Sequence, residues 1–450
     1  MAEGNTSRYR AGGVAAPLTA DQLAQNFAEI HPPLTGDAAL LEANKCLMCY
    51  DAPCTIACPT HIDVPAFIKK IASGNLRGSS LTILDANILG LSCSRVCPVD
   101  VLCEGACVMH KYNKQPIEIG LLQRHAMDHF YENGARLPAT GAPERTQRIA
   151  CIGGGPASLS CAAELRRHGF QVTVFDARPQ AGGLNTYGVA QYKLRPVDSQ
   201  LEVELIRSMG VKMEHGVDVG TSIPLEQIEA DFDAIFLGLG LGPAELLNIP
   251  GEDSPAVVDA LHFIAAYKLG IDTDVGRRVV VVGGGNTAID AANAAKLLGA
   301  EEVQLLYRRS ESEMPAFSFE YMHAKQVGIR FQWLTQPVAI HAASVECVRM
   351  ELGAPDKTGR RRPRAIPGSN FHIECDMVIP SIGQTKLLRF LELCRGVELR
   401  DGTVVVDQPT GRTSNPKYYA GGDCVNGGRE VVDAVAEGKR AAEGIATWLT

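Results

Sequence analysis

Apolar residues recur along the chain with two different spacings, which predict two kinds of structural element. Over Ile117–Tyr131, and again around Phe67 and Ile71, apolar positions return every three or four residues, as in amphipathic helices. Short apolar runs at Arg148–Ile152 and Arg278–Val282 each lead into glycines and then into a helical pattern. This order of strand, glycines and helix is typical of nucleotide-binding units, so we predict a helical N-terminal region followed by α/β structure.

The composition is that of a folded globular protein, with 46% hydrophobic and 21% charged residues. There are 43 basic and 51 acidic residues, so the chain lacks the basic surplus of a nucleic-acid-binding protein. No apolar stretch approaches the ~18 residues of a membrane span, and no secretory signal is visible. We therefore expect a soluble, cytoplasmic protein.

The cysteines are concentrated near the start of the chain, in the runs Cys46-x2-Cys49-x4-Cys54-x3-Cys58-Pro and Cys93-x3-Cys97-Pro-x4-Cys103-x3-Cys107. Dense, spaced cysteines in a cytosolic chain indicate metal ligation. The Cys-Pro steps favour two iron–sulfur clusters, and two zinc sites are the alternative that the same thiolates could form. The remaining cysteines are predicted to be packed small hydrophobes: Cys151, Cys161, Cys347, Cys375, Cys394 and Cys424.

A glycine-rich turn follows the first predicted strand and opens a helix. Its glycines permit a tight turn and a close approach to a pyrophosphate at the helix N-terminus. An acid follows the next strand, Gln171–Phe175, where a carboxylate accepts hydrogen bonds from ribose hydroxyls. The residues predicted to bind this dinucleotide are Gly153, Gly154, Gly155, Pro156, Ala157 and Asp176.

A second unit of the same kind follows the strand Arg278–Val282. Its next strand, Val303–Leu306, ends in Tyr307-Arg308-Arg309 and carries no acid. Arginines at that position suit a 2′-phosphate, so NADP(H) is preferred over NAD(H), and two solvated arginines are the alternative. The residues predicted to bind this nucleotide are Gly283, Gly285, Asn286, Thr287, Ala288, Arg308 and Arg309.

Two further signals stand in the second half of the chain. Gly422-Asp423 precedes the last helical pattern, where flavoproteins with two such units contact the ribityl chain; a plain turn and helix cap is the alternative. The basic run Lys357–Arg364 contains turn signals at Asp356 and Gly359. We interpret this run as a solvated hairpin loop rather than a nucleic-acid patch.

Two nucleotide sites and iron–sulfur clusters together indicate an electron relay. A pyridine nucleotide supplies two electrons as a hydride, clusters accept one at a time, and a flavin handles both steps. A disulfide reductase would need a closely spaced cysteine pair beside the flavin, and none follows Gly153. The chain has no room for a substrate barrel of ~250 residues, so we predict that electrons leave to another polypeptide. No catalytic acid or base is predicted.

The cysteine segment resembles a known family. Cys46-Leu-Met-Cys-Tyr-Asp-Ala-Pro-Cys54, Cys58-Pro-Thr-His-Ile-Asp-Val-Pro-Ala-Phe67 and Cys93-Ser-Arg-Val-Cys-Pro98 resemble the N-terminal half of dihydropyrimidine dehydrogenase. The whole chain resembles the flavin subunit of the bacterial enzyme, in a wider family that includes the small subunit of glutamate synthase. The resemblance implies FAD at the first motif, NAD(P)H at the second and two [4Fe–4S] clusters. It also implies a partner subunit with FMN, further clusters and the pyrimidine site.

The resemblance also implies a ligand set and further binding residues. One cluster would be bound by Cys46, Cys49, Cys54 and Cys107, and the other by Cys58, Cys97, Cys103 and Gln123. Cys93 is then a spare thiol. The residues implied near the flavin are Gly182, Gly183, Leu184 and Lys193, and those near the nicotinamide are Ser381, Ile382 and Gly383.

We therefore expect an α/β protein with an α-helical iron–sulfur domain at 1–140 and two Rossmann-like nucleotide-binding domains. The FAD domain is discontinuous, at 141–255 and 375–450, and the NAD(P) domain occupies 256–374. The expected function is electron input to dihydropyrimidine dehydrogenase, whose FMN-containing partner subunit reduces uracil or thymine. A glutamate synthase small subunit or related NADPH:ferredoxin-type oxidoreductase is the first alternative, and a zinc-stabilised nucleotide-binding scaffold is the second.

Overall fold

The computed structural model describes residues 13–139, 142–271, 274–356, 359 and 361–450. The chain divides into two compact units. We call Pro243–Thr385, with 13–28 and Tyr187–Tyr192, the inner unit. The outer unit consists of Glu29–Thr186, Lys193–Gly242 and Lys386–Thr450.

Helices occur in both units. In chain order they are α1 Ala20–Asn26, α2 Gly36–Asn44, α3 Pro53–Ala57, α4 Val64–Ala72, α5 Leu76–Ala86, α6 Gly90–Val96, α7 Ile119–Glu132, α8 Pro156–Arg167, α9 Leu184–Tyr187, α10 Pro196–Ser208, α11 Leu225–Asp231, α12 Ala260–Lys268, α13 Asn286–Leu297, α14 Ser318–Val327, α15 Leu388–Leu391, α16 Asp423–Asn426 and α17 Val431–Leu449. Short 3₁₀ turns form at Val108–Tyr112 and Glu311–Glu313. No helix among the described residues is both long and apolar enough to cross a membrane.

The strands form separate sheets in the two units. They are β1 Arg148–Ile152, β2 Gln171–Asp176, β3 Lys212–His215, β4 Ala234–Leu237, β5 Arg278–Val282, β6 Glu302–Tyr307, β7 Arg330–Trp333, β8 Thr335–Ile340, β9 Ser344–Pro355, β10 Arg361–Ala365, β11 Phe371–Glu374, β12 Met377–Pro380, β13 Leu399–Arg400, β14 Thr403–Val404 and β15 Tyr418–Ala420.

The outer unit is built on a parallel sheet with the strand order β15-β4-β1-β2-β3. The helices of the cysteine segment do not form a separate core. Phe67 of α4 and Leu122 of α7 belong to the same buried cluster as Ile149 of β1 and Phe236 of β4. The cysteine segment and the first nucleotide-binding fold are therefore one packed body.

The inner unit contains a parallel sheet, β12-β5-β6-β7, and an antiparallel sheet around β9. β12 pairs with β5 from Met377↔Val279 onward, although the predicted boundary at 375 assigned this segment to the FAD domain. A short, wholly buried strand suits either parallel sheet, so its composition did not reveal its partner. Residues 13–28 also depart from the predicted 1–140 domain, since Ala15 N–H donates to Val275 O at 2.9 Å.

Candidate cofactor sites

Four predicted ligands meet at one cavity in the outer unit. Cys46 and Cys49 lie in the loop after α2, Cys54 lies in the first turn of α3, and Cys107 precedes a 3₁₀ turn. Apolar side chains line much of the rest of the cavity, among them Val64, Ile68, Met109, Ile117 and Ile119. All four thiols line this apolar pocket, and thiolates are the soft ligands that an iron–sulfur cubane needs.

Backbone N–H groups support these sulfur atoms. The N–H of Met48 donates to Cys46, and the N–H of Thr55 donates to Cys54. Burial raises the pKa of the Cys46 thiol and raises that of Cys54 to about 11, and neighbouring thiols add to both shifts. Ionisation of such buried thiols needs the compensating positive charge of a metal, after which the N–H donors stabilise the thiolates.

A second group of thiols lies beside the first. Burial raises the pKa of Cys103, and the nearby Cys58 and Cys54 raise it further. The pKa of Cys97 is raised first by its hydrogen bond to Cys93 and then by burial, with Cys103 and Cys58 as electrostatic neighbours. Cys58, Cys97 and Cys103 are therefore electrostatic neighbours, and Cys103 is also a neighbour of Cys54 in the first cavity.

Cys93 and Gln123 both lie in buried helical positions near this second group. Cys93 on α6 is 2% exposed and contacts Cys97 one helical turn later. Gln123 on α7 is 8% exposed, and its Nε2 donates to Gly90 O at 2.8 Å. An amide nitrogen is a donor only, so the side-chain atom of Gln123 that could ligate a metal is Oε1.

Glu202 of α10 attaches the helix that carries Cys93 to the parallel-sheet part of the outer unit. Its carboxylate accepts from the N–H of Leu91 at 2.8 Å, from the N–H of Ser92 at 3.0 Å and from the Ser92 hydroxyl. These amides belong to the first turn of α6, which has no intrahelical partner for them. Burial raises the pKa of Glu202 to about 7, although the hydrogen bonds from Leu91 and Ser92 favour the ionised carboxylate and oppose this shift. Sequence reasoning missed this residue because its partners are 110 and 111 positions away.

The first glycine turn has the predicted strand–turn–helix geometry. Gly153 has a φ of +92°, and a Cβ there would lie 2.4 Å from Gly238 O. Gly155 is the N-cap of α8, no side chain caps the helix, and a Cβ on Gly155 would meet only Gly183 at 3.9 Å. The first N–H groups of α8 are therefore left to bind a phosphate.

Asp176 ends β2 beside this turn and has a second role. Its Oδ2 accepts from Gly154 N–H at 2.8 Å, and its Oδ1 accepts from Arg178 N–H at 2.7 Å. Burial raises the pKa of Asp176, and the two N–H bonds oppose that shift. The carboxylate predicted to meet the ribose thus also holds the glycine turn in place.

Two other predicted segments pack against the same turn. A Cβ at Gly183 would lie 2.8 Å from Gly155 Cα, and one at Gly422 would lie 3.0 Å from the Cβ of Ala157. Burial raises the pKa of Asp423, which follows Gly422. The structure therefore brings together Gly153–Ala157, Asp176, Gly182–Gly183 and Gly422–Asp423.

The end of the chain closes this site with residues that sequence reasoning missed. Glu437 Oε2 accepts from Gly422 N–H at 2.6 Å, and a Cβ at Gly438 would lie 2.1 Å from Ala157 O. Both residues are on α17, where only the helical pattern was visible. Leu184 begins α9, and Lys193 lies near Glu430, whose pKa burial raises to about 7.

Two cysteines outside the predicted ligand set also form a pair. Cys151 on β1 and Cys161 on α8 are both fully buried, and their thiols hydrogen-bond each other. Burial is the main reason that the pKa of Cys161 lies well above its usual value. A thiol pair without solvent contact is not a site for disulfide exchange with a substrate, so both cysteines are packed hydrophobes, as predicted.

The second glycine turn repeats the geometry of the first with different neighbours. A Cβ at Gly283 would lie 2.1 Å from Ser381 O, so the predicted nicotinamide-side segment does lie against this turn. Gly285 is the N-cap of α13 with no side-chain cap, and a Cβ there would meet nothing within 4 Å. Asn286 Oδ1 accepts from Phe317 N–H at 3.0 Å. Of the other predicted residues, Thr287 is exposed, Ala288 is buried, Ile382 is 45% exposed and Gly383 O accepts from Glu245 N–H.

Tyr307 takes the place of an acid at the end of β6. Leu306 pairs with Val282, so Tyr307 stands one residue beyond, as Asp176 does in the first unit. Arg308 is exposed, and its side chain has no ionic partner in the part of the chain that the structure describes. Arg309 is 8% exposed, and its Nε donates to Arg361 O at 3.2 Å. The structure therefore presents Arg308, and not Arg309, to solvent.

Family models match nearly all of the sequence around these sites. Residues 23–135 match dihydropyrimidine dehydrogenase domain II, 4Fe-4S cluster, and residues 147–438 match pyridine nucleotide-disulphide oxidoreductase. The chain belongs to the pyridine nucleotide-disulphide oxidoreductase family. The predicted fold class of this oxidoreductase is confirmed, as are FAD, [4Fe–4S] and NADPH as its cofactors. The 4Fe-4S match favours iron–sulfur over the zinc alternative.

Relatives are similar over most of this oxidoreductase. The glutamate synthase [NADPH] small chain of Halomonas elongata is 36% identical over 95% of this chain and 94% of its own length. The NADPH-Fe(3+) oxidoreductase subunit beta of Geobacter sulfurreducens is 36% identical over 89% of this chain and 64% of its own. The NADPH complex of Mycobacterium tuberculosis FprA shares the fold, with a TM-score of 0.57 and 20% identity over 68% of this chain and 85% of its own.

Proposed function

We propose that the chain is the electron-input subunit of a hetero-oligomeric oxidoreductase, delivering electrons from NADPH to a partner polypeptide. The observation that carries this proposal is the four-thiol cavity of the outer unit, which shares one buried core with the first dinucleotide turn. A cluster in that cavity and a flavin at that turn would occupy the same packed body. The similarity to a glutamate synthase small chain and to a subunit beta supports a partner.

The residues that would hold each group follow from the geometry. FAD would be bound by the first turn, with its pyrophosphate at the N-terminus of α8 and its ribose at Asp176. The flavin supplies the conversion between two-electron and one-electron chemistry. We assign one cluster to Cys46, Cys49, Cys54 and Cys107, and a second to Cys58, Cys97, Cys103 and Gln123.

Two kinds of acceptor have specific support. The glutamate synthase small chain of Halomonas elongata matches 95% of this chain and 94% of its own length, and this favours a partner of the glutamate synthase type. The FMN-containing, pyrimidine-reducing partner is favoured instead by the amino-acid sequence around Cys54 and Cys58 and by the matched dihydropyrimidine dehydrogenase domain. The similarities over the full length make the glutamate synthase type the first candidate and the pyrimidine type the second.

The test is anaerobic purification, followed by iron and flavin analysis and by reduction with NADPH. We expect about eight irons and one flavin per chain, and a paramagnetic iron signal after NADPH is added. Flavin bleaching without any iron signal would refute electron input through clusters.

Reconstitution with candidate partner subunits identifies the acceptor. NADPH oxidation that depends on glutamine supports the glutamate synthase type, whereas oxidation that depends on uracil or thymine supports the pyrimidine type. Oxidation with neither partner, although clusters are reduced, would refute both assignments and leave the electron-input role intact.

A further inference from the structure

The basic run near residue 360 is the sequence feature that the proposed function leaves unused. β10 begins at Arg361 and pairs antiparallel with β9, and Gly359 N–H donates to Asp356 O, which confirms the predicted hairpin. Lys357, Thr358 and Arg360 of the run lie outside the described residues. Arg361 does not behave as part of a freely solvated loop, because it makes defined contacts with the segment after β6.

In these contacts the Arg361 side chain is a donor and its backbone carbonyl is an acceptor. Arg361 Nε donates to Glu313 Oε1 at 2.7 Å, and Arg309 Nε donates to Arg361 O at 3.2 Å. Glu313 belongs to the turn that follows Arg308 and Arg309, and the Ser310 hydroxyl also donates to it. The hairpin is thereby fixed against the end of β6, within the inner unit.

Tyr307 connects Glu313 to the second glycine turn. The Tyr307 hydroxyl donates to Glu313 O at 2.9 Å, and a Cβ at Gly284 would lie 2.6 Å from the Tyr307 ring. The position just after the second strand of such a unit is where the adenosine ribose is read. Arg361 is therefore bonded to the segment that adjoins the ribose position.

Arg361 also has donors to spare. Its side chain is 41% exposed, and only its Nε has an ionic partner among the described residues. A guanidinium has five N–H donors, so the terminal fork remains available, in the geometry that suits two phosphate oxygens.

The charges at this corner leave a positive balance. Glu311 and Glu313 offset two of the three guanidinium charges of Arg308, Arg309 and Arg361, which leaves one net positive charge. Glu311 also hydrogen-bonds the Tyr321 hydroxyl. A phosphate monoester carries about −1.5 to −2 at neutral pH. The positive balance attracts such an anion, whereas the neutral 2′-hydroxyl of NADH gains little there.

We propose that Arg361 is a specificity-determining residue for NADPH, contributing its terminal fork to the adenosine 2′-phosphate site together with Arg308. The inference rests on NADPH as the electron donor of the proposed function. Glu313 is a positioning residue, since it holds Arg361 through Nε and leaves the fork free.

The test measures binding of adenosine 2′,5′-bisphosphate and of 5′-AMP to the full-length protein by titration calorimetry. We expect Arg361→Gln to weaken the bisphosphate about tenfold and to leave 5′-AMP unchanged, as for the loss of one charge-assisted contact. Arg362→Gln is the matched control, since Arg362 is the next residue, is exposed and has no ionic partner among the described residues. It should leave both affinities unchanged.

Three results would overturn the inference. They are an unchanged bisphosphate affinity in Arg361→Gln, an equal loss for both nucleotides, or an equal loss of bisphosphate affinity in Arg362→Gln. The partner subunit takes no part in the measurement. Failure of electron delivery and failure of this inference are therefore distinguishable.

Discussion

The two glycine turns of this oxidoreductase start from the same geometry and diverge in what surrounds them. In the outer unit, Asp176 bonds to Gly154 N–H, and Gly183 and Gly422 pack against the turn. In the inner unit, an aromatic ring lies at the register position of Asp176, and a Cβ at Gly285 would meet nothing within 4 Å. Ser381 and Tyr307 also pack against the second turn, but none of the described residues approaches its N-cap glycine, Gly285. In this sense we call the first turn enclosed and the second open at its helix N-terminus.

This difference shows where the specificity of such a unit resides. The strand, the glycines and the uncapped helix provide a phosphate site in both cases. Which dinucleotide binds depends on the residue after the second strand. How slowly it dissociates depends on the segments that cover the turn. An enclosed site suits a resident flavin, and an open one suits a pyridine nucleotide that must enter and leave.

The largest expected effect comes from Gly153→Ala, which tests the enclosed turn. The new methyl would clash with Gly238 O at a φ that L-residues rarely adopt, so we expect loss of flavin and a free energy of unfolding lower by roughly 3 kcal/mol. Absorbance of the purified protein and thermal unfolding measure both effects. Gly155→Ala is the control, since its methyl has space and should preserve the fold. Equal stability of Gly153→Ala and the wild type would contradict the enclosed geometry.

The second effect concerns the thiols that share the outer unit with the flavin site. We expect Cys97→Ser to lower the iron content from about eight to about four per chain, and Cys93→Ser to leave it at about eight. Iron analysis after anaerobic purification measures both variants. A half-loss of iron in Cys93→Ser would show that Cys93, and not Gln123, is the fourth ligand. Binding of adenosine 2′,5′-bisphosphate at the inner unit should be the same in both.

The third effect comes from Glu202, which joins α6 to α10. Glu202→Ala leaves two buried N–H groups without an acceptor, so we expect a loss of about 2–3 kcal/mol in the free energy of unfolding. Because the inner unit does not contain Glu202, adenosine 2′,5′-bisphosphate should bind with unchanged affinity. An unchanged unfolding temperature would show that these bonds do not hold the cysteine helices.

The pH dependence of the same residue gives a further measure. The pKa of Glu202 is raised from 4.5 to about 7 in the folded protein, so the folded state binds this proton more tightly than the unfolded state. Its contribution to stability is greatest below pH 4.5 and is lost as the pH rises to about 7. Glu202→Gln should remove this part of the slope in chemical unfolding between pH 5 and 8. An identical slope in the variant and the wild type would show that the residue does not titrate there.

The smallest expected effect tests the open turn. Arg308→Gln should lower kcat/KM for NADPH about tenfold and leave the value for NADH unchanged, since one charge-assisted contact to the 2′-phosphate is lost. Steady-state oxidation with a soluble dye as acceptor measures both donors. If the wild type used NADPH and NADH equally well, the assignment of the open turn to NADPH would be wrong.

The strands and glycine turns were predictable because they depend on local sequence. The bounds of β1 and β5 agree with the predicted Arg148–Ile152 and Arg278–Val282, since a short apolar run ending in glycines leaves little choice of register. The predicted thiols Cys46, Cys49, Cys54 and Cys107 do converge, although their grouping followed from the family resemblance and not from their spacing.

The remaining features depend on contacts between distant segments. Glu202 and Glu437 accept from backbone N–H groups, and no side-chain pattern marks such a partner in a sequence. The different exposure of Arg308 and Arg309 depends on Arg361, which comes from a hairpin that the sequence presented only as a basic turn. The strand that pairs with β12 could not be predicted from the sequence either, because a buried apolar strand fits either parallel sheet.

The order of strands in the outer unit has a consequence for biosynthesis. β15, from Tyr418–Ala420, pairs with β4, and α17 packs on α8 through Gly438. A nascent chain therefore cannot complete the sheet of the outer unit until the ribosome has passed these last elements, long after the cysteine segment has emerged. Stable capture of the flavin is therefore expected only after α17 has been synthesised, whereas the thiols of the cysteine segment emerge much earlier.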